Sequence, residues 1–306
     1  MSTSTEHSGQ GHGHGHGHGH GHDHFEQGYD WAEQADRLET EGELRIGEVE
    51  GAADWIAGML GEHPVRRVVD IGSGPGVAIG VFAARFGDAT LEAVDGSAGL
   101  LERAAARARR LGFGDRLTTS VRDLPGGLDT LAPTDVLWSS RVVHHLGDQA
   151  GALRRMAAAL RPGGVLAIAE GGLSARTLPR DIGMGTPGLE VRLEAAAQDW
   201  FAEMRAVTPD ATATVEDWPG MLAGAGLTPC GTRSFLVDHP APLDDAARAV
   251  VLEIWRGIGE RAAPLLGDSD RATIDRLLDP ADPLGLHQRQ DLFMLSATTV
   301  FAGRAR

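Results

Sequence analysis

A doubly wound α/β fold, with a mostly parallel sheet and helical insertions in its second half, is what this 306-residue sequence predicts. Residues 68–76 read Val-Val-Asp-Ile-Gly-Ser-Gly-Pro-Gly, an apolar run that ends in nearly bare backbone. From there to about Ala169, short β-branched runs alternate with segments of helical apolar spacing, the signature of a parallel sheet. Beyond Ala169 that alternation becomes irregular.

The chain opens on a low-complexity stretch, residues 1–24, with Gly-His repeats from Gly11 to His22. It has no apolar surface to bury, so disorder is expected. Its imidazoles suit adventitious nickel, zinc or copper, and no other metal site is expected. Phe25 to about Asp36 follows as an aromatic segment holding Tyr29, the only tyrosine, and Trp31. Leu44 to Leu60 has the spacing of an amphipathic helix, so 25–60 reads as an N-terminal helical segment.

Val68 to Ile71 has the density of a buried parallel strand. Gly72, Gly74 and Gly76 then form a turn against which a ligand can lie, and Val77 to Phe86 continues as a helix. Such a strand–turn–helix junction is where doubly wound sheets bind nucleotide-like cofactors. Leu91–Asp95, Arg116–Val121 and Asp135–Ser140 read as strands two to four, and Leu160–Leu166 as the turn into strand five. Arg103, Arg107, Arg109 and Arg110 fall on the helix after strand two and read as a solvated face. These elements make 61–171 a cofactor-binding core.

Residues 172–306 are expected to carry cap insertions and the last two strands. Pro179, Gly183, Gly185, Pro187 and Gly188 break the chain before an apolar helix at about Leu189–Met204. Asp217-Trp218-Pro219 opens a further helix, ended by Gly224-Ala225-Gly226. Thr228–Val237 reads as strand six, Ala246 to about Leu278 as two helices, and Leu292–Phe301 as the final strand.

Composition excludes several chemistries. The chain has no lysine, which removes a Walker-type phosphate loop and a lysine Schiff base. The dinucleotide pattern G-x-G-x-x-G fails, because Val77 and Ile79 stand where the third glycine would be. A net charge of −15 disfavours a nucleic-acid surface. One cysteine, Cys230, fits a reducing cytoplasm, and no apolar run approaches membrane-spanning length. A cytoplasmic protein that meets no membrane is therefore expected.

The alternate glycines behind Asp70 resemble motif I of the class I S-adenosylmethionine-dependent methyltransferases. Four later landmarks agree in order: Asp95 ending strand two, Asp123-Leu124-Pro125 after strand three, Val143-His144-His145-Leu146 after strand four, and Leu160-Arg161-Pro162-Gly163-Gly164 before strand five. Val143 departs from the family's usual leucine. The resemblance implies a seven-stranded Rossmann-like sheet and S-adenosyl-L-methionine as cofactor. It implies that Asp70, Gly72, Ser73, Gly74 and Gly76 hold the amino-acid end, and that Asp95 with Gly96 takes the ribose. Asp123 and Leu124 would take the adenine, with Ser140 and Arg141 closing the site after strand four. The segment 25–36 either packs on the sheet or folds over the cofactor as a lid.

Methyl transfer from a sulfonium needs alignment above all, and a base only where the acceptor must lose a proton. His144 and His145 are the candidate bases. Tyr29, Glu170 and Trp200 are candidates for substrate contact, with Arg192 or Arg205 available to an acidic group. The absence of an Asn/Asp-Pro-Pro-aromatic segment after strand four disfavours base methylation of nucleic acid, and the lack of an acidic pair at Ser139–Arg141 disfavours a magnesium mechanism. What remains is an O-, N- or C-methyltransferase for a small metabolite. The alternatives are a non-catalytic cofactor-binding or metal-responsive relative and, from another class, an NAD(P)-dependent oxidoreductase.

Overall fold

The computed structural model describes residues 34–306, so the Gly-His stretch, Tyr29 and Trp31 lie outside the described residues. Two helices, α1 (Ala35–Leu44) and α2 (Ile46–Leu60), precede the first strand. The helix that the spacing predicts over Leu44–Leu60 is α2, and α1 precedes it; the two are separated at Arg45, which takes φ −102° and ψ 9°. Its side chain leaves the helix to donate to Ser296 Oγ (3.2 Å). That partner lies 251 positions away, beyond the reach of local spacing rules.

The core runs β1 (Arg67–Ile71), α3 (Val77–Arg85), β2 (Thr90–Asp95), α4 (Ala98–Arg110), β3 (Leu117–Val121), β4 (Thr134–Ser140), α5 (Gln149–Ala158) and β5 (Leu160–Arg176). The second half adds α6 (Leu189–Val207), α7 (Trp218–Gly224), β6 (Thr228–His239), α8 (Asp245–Ala262), α9 (Asp268–Leu278) and β7 (Met294–Arg304). Side-chain caps set three helix starts: Ser97 accepts from the Leu100 amide, Asp148 from Gly151 and Asp217 from Gly220.

All seven strands form one sheet in the order β3-β2-β1-β4-β5-β7-β6. The first five are parallel, and β7 runs antiparallel between β5 and β6. The order reverses between β1 and β4, where a doubly wound sheet opens its ligand crevice. Strand alternation divides the interior. Val68, Val136 and Trp138 join Ile56 and Phe82 on one face, while Val69, Ile71 and Leu137 join Leu153, Met156 and Leu222 on the other.

A third apolar cluster belongs to the cap. Leu193 of α6, Val251 and Trp255 of α8, Ile274 and Leu277 of α9, and Leu286, Leu292 and Met294 pack together. Strand β5 continues past Gly171 to Arg176 and carries the sheet beneath it.

The arginines of α4 are a solvated face only in part: Arg109 and Arg110 are exposed, but three of the four are engaged by α1. Arg107 is buried, and its guanidinium donates to Glu39 (2.7 Å) and Glu43 (2.6 Å) of α1. Arg103 and Arg110 bind the same Glu39, and Arg103 also reaches Asp36. Burial acts to raise the Glu39 pKa, but Arg103, Arg110 and Arg107 outweigh it and hold the carboxyl at about 2. This network anchors α1 to α4.

Candidate active site

Gly72 and Ser73 donate their amides to the Val94 carbonyl (2.8 and 3.0 Å), which ties the glycine loop to the end of β2. Gly72 has φ +68°, and a Cβ there would stand 2.2 Å from Val142 Cγ2. Backbone conformation and close approach both demand glycine at this position. Asp95 completes the loop by accepting from the Gly74 amide (2.9 Å) and from the Ser97 amide (2.9 Å). It braces the loop through side-chain contacts that the spacing alone did not reveal.

Beneath the loop, Asp70 is 2% exposed and its Oδ2 has no hydrogen-bond partner. Burial, then the neighbouring Asp95 carboxylate, push the Asp70 carboxyl up to about 8. Ser73 Oγ and Ser139 Oγ are also buried without partners. Unmet polar atoms at adjoining strand tips mark a place built for a polar ligand. A buried carboxyl short of a cation suits the ammonium of S-adenosylmethionine. The space over Gly74 is open, with nothing within 4 Å of a built Cβ. The residues therefore fit that cofactor. Gly96 and Asp123 are exposed, while Leu124 and Ser140 are half-buried, along the rim that β2, β3 and β4 provide.

The turn after β4 is built by side chains from elsewhere. Arg141 takes φ +58° and donates its amide to the Ala169 carbonyl (3.0 Å). Glu170 Oε1 accepts from the amides of Val142 (3.1 Å) and Val143 (2.8 Å), and its Oε2 lies 2.6 Å from His144 Nδ1. With a carboxylate as partner, the network assigns the proton to Nδ1 and leaves Nε2 for a ligand. Arg205 of α6 donates to the carbonyls of His144 (3.1 Å), Leu146 (2.7 Å) and Gly147 (3.3 Å). Phe201, one helical turn before it, sets its ring 5.7 Å from that of His144. The exposed His145 ring lies 4.1 Å from His144. Loss of solvent on its packed side, then His144 and Arg205, lower its pKa, so it is neutral at pH 7.

Glu170 thus has both oxygens engaged by the turn, and its place is to orient His144. Trp200 lies under the Arg261 guanidinium (5.6 Å), whereas the aromatic beside His144 is Phe201. Trp255 is buried and donates Nε1 to Thr177 Oγ1 (2.8 Å), a packing role. Arg192 is bound to Asp270 (2.6 and 2.9 Å), and Arg205 to the turn, so both guanidiniums are engaged by the protein. The pairing of Phe201 with Arg205 had a sequence signal, an aromatic and a cation four residues apart on one helix. A surface cavity of about 550 Å³ lies elsewhere, between α2 and β6, around Trp55 and Arg233. Among the described residues, no cluster of three or more His, Cys, Asp or Glu side chains could hold a metal, and no helix is long and apolar enough to cross a membrane.

A family profile described as a methyltransferase domain matches residues 69–166. A trans-aconitate 2-methyltransferase of Methylobacterium radiotolerans is 32% identical over 236 residues, covering 76% of this chain and 77% of that protein. One from Methylobacterium nodulans is 33% identical, covering 71% of this chain and 86% of its own length. A solved geranyl diphosphate methyltransferase in complex with SAM is 19% identical, covers 84% of this chain and 85% of its own, and has a TM-score of 0.45.

Proposed function

This chain belongs to the class I S-adenosylmethionine-dependent methyltransferases and methylates a small metabolite; we propose that its acceptor is a small di- or tricarboxylic acid, methylated on a carboxylate oxygen. One observation carries the reading. The match to the relative named for trans-aconitate runs over 236 residues, more than twice the stretch 69–166, so it takes in parts of the chain beyond the cofactor core.

When bound, S-adenosylmethionine supplies a methyl group on a sulfonium whose leaving group is a neutral thioether. Asp70 offers a carboxylate to the ammonium, and Asp95 keeps Gly74 and the loop in place for it. A carboxylic acid is ionised at neutral pH, so no base has to remove a proton before it attacks. His144, with its Nδ1 proton directed to Glu170, presents only a lone pair at Nε2, so it neither deprotonates such an acceptor nor donates to its carboxylate, and serves as a wall of the site. Arg205 and Phe201 hold that imidazole from the cap side.

A second reading has one observation in its favour. The 2.6 Å contact between Glu170 and His144 Nδ1 is the arrangement a general base uses, and would serve a hydroxyl acceptor. The two separate on the product. Purified full chain with labelled S-adenosylmethionine is offered trans-aconitate, related polycarboxylates, and neutral alcohols and phenols. A methyl ester cleaved by mild alkali is the expected product. An alkali-stable methyl ether, lost together with His144→Ala, would replace the acid reading with the hydroxyl one.

A further inference from the structure

We propose that the free face of β5, β7 and β6 beyond Glu170 is an interface through which two copies of this chain pack about a two-fold axis. There β7 runs antiparallel between the other two strands, and the registers set their residues in rows. Leu173 of β5 pairs with Ala297 of β7, which pairs with Leu236 of β6. One row outward stand Arg176, Leu295 and Asp238, and one row inward Thr299 pairs with Ser234. Residues paired in register point to the same side of a sheet, so these share one face.

The opposite face is covered. Val237 and Met294 belong to the cap cluster, Phe235 packs against Trp55, and Ser296 and Thr298 are buried. An antiparallel sheet with one covered face commonly carries polar side chains on the other. This one carries leucines: Leu173 is 71% exposed, Leu236 61% and Leu295 40%. Neighbouring strands lie about 4.8 Å apart, so the three make one patch and not scattered side chains. Among the described residues, α7 covers this face up to Phe301, whose ring lies 6.5 Å from that of Trp218. The polar groups on the face already have partners: Ser234 Oγ is bound to Thr299 Oγ1 (2.9 Å), and Arg176 to Glu194 of α6. Covering them therefore costs little.

A second copy is the occupant that this pattern fits. The chain carries a net charge of −15, so copies repel one another in general, whereas this face bears Arg176 and Asp238 and no net charge. A two-fold axis crossing the strands at the Leu173–Ala297–Leu236 row sets each of those leucines over its own counterpart. The same rotation places Leu295 over Thr299 of the partner subunit and Asp238 over Ser234 of the partner subunit. Apolar groups then meet apolar groups, a carboxylate meets a hydroxyl, and every contact occurs twice, as in an isologous interface. Helix α7 lies to one side of that axis, so the rotation carries its counterpart away from it. Three short strands offer only a few hundred Å², below the roughly 800 Å² per partner of a standard interface, so a reversible dimer is expected.

Sedimentation velocity of the full chain over a concentration series, at low and at moderate salt, tests this. A monomer–dimer equilibrium with a dissociation constant of about 10–100 μM is expected, tightening about 3- to 10-fold as salt screens the net charge. Leu173→Asp and Leu236→Asp each set like charges across the axis and should weaken the dimer about 10-fold or more, while S-adenosylhomocysteine affinity by calorimetry stays within about twofold. Both positions are exposed, so these variants should fold; Leu173→Thr and Leu236→Thr, which keep a strand-forming side chain, stand in if they do not. A parent that stays monomeric up to about 500 μM overturns the proposal, as it would if another partner or residues outside the described ones cover the face. So does a dimer that the leucine variants leave unchanged, because it then forms elsewhere on the molecule.

Discussion

The glycine loop after β1 and the His144 turn after β4 meet at one edge of the sheet, yet they are held by different means. The loop is held largely by its own strand neighbourhood: amides of Gly72 and Ser73 on Val94, and that of Gly74 on Asp95. The His144 turn depends on side chains imported from afar, Glu170 of β5 and Arg205 of α6, the latter 61 positions along the chain. Backbone rules therefore govern the glycine loop, and cap packing governs the His144 turn. A protein built this way can alter the His144 turn through α6 while the loop stays as it is.

The largest effect expected is from Gly72→Val. Its Cβ would meet Val142 at 2.2 Å in a left-handed conformation, at a cost of about 2–4 kcal/mol. Chemical denaturation should show that loss, and calorimetry no S-adenosylhomocysteine binding. Retained binding would break the claim that backbone shape governs this side.

Glu170→Gln should sharpen the contrast. The amide oxygen can still accept from Val142 and Val143, but its NH2 would face the Nδ1 proton of His144 and force the other tautomer. Turnover is expected to fall about 10- to 100-fold while S-adenosylhomocysteine affinity stays within about threefold. Equal losses in both would mean that the two regions are not separable. A shifted pH profile of kcat, with restoration by Glu170→Asp, would distinguish orientation of His144 from mere support of the turn.

The smallest effect is on stability, and its sign is unusual. Asp70 has a folded-state pKa of about 8, above the unfolded value of about 3.9. Between those values the unfolded chain has released the proton that the folded chain retains, so stability falls as pH rises from about 4 to 8. Asp70→Asn abolishes that dependence. Without cofactor it should be more stable at pH 7, by about 1–3 kcal/mol, while binding S-adenosylhomocysteine far more weakly. Urea titrations across that pH range check it. A variant less stable than the parent at pH 7 would show that Asp70 is ionised and supported in the free protein.

Much of the framework was legible in the residues. The five core strands, the two helices between β6 and β7, and the Asp217 cap of α7 appear where pattern and capping chemistry place them. Less legible were features that depend on a distant partner. Arg45, between α1 and α2, reaches Ser296, and the buried Arg107 of α4 answers to acids on α1. Glu170 and His144 each stood out alone, but nothing in a 26-residue separation says that they bond. Trp200 drew notice as an aromatic on an apolar helix, yet the face of α6 toward His144 carries Phe201.

What the residues alone determined is the glycine loop after β1. Three alternate glycines after a strand, with acids at the ends of that strand and the next, set backbone freedom and charge within a few positions, although Val142, against which Gly72 lies, comes from the turn after β4. What only the tertiary structure decided is which polar groups are left without partners at this edge of the sheet. That depends on how α1, β7 and the cap converge, because a side chain's charge is neutralised or left wanting by whichever residues packing brings within a few ångströms.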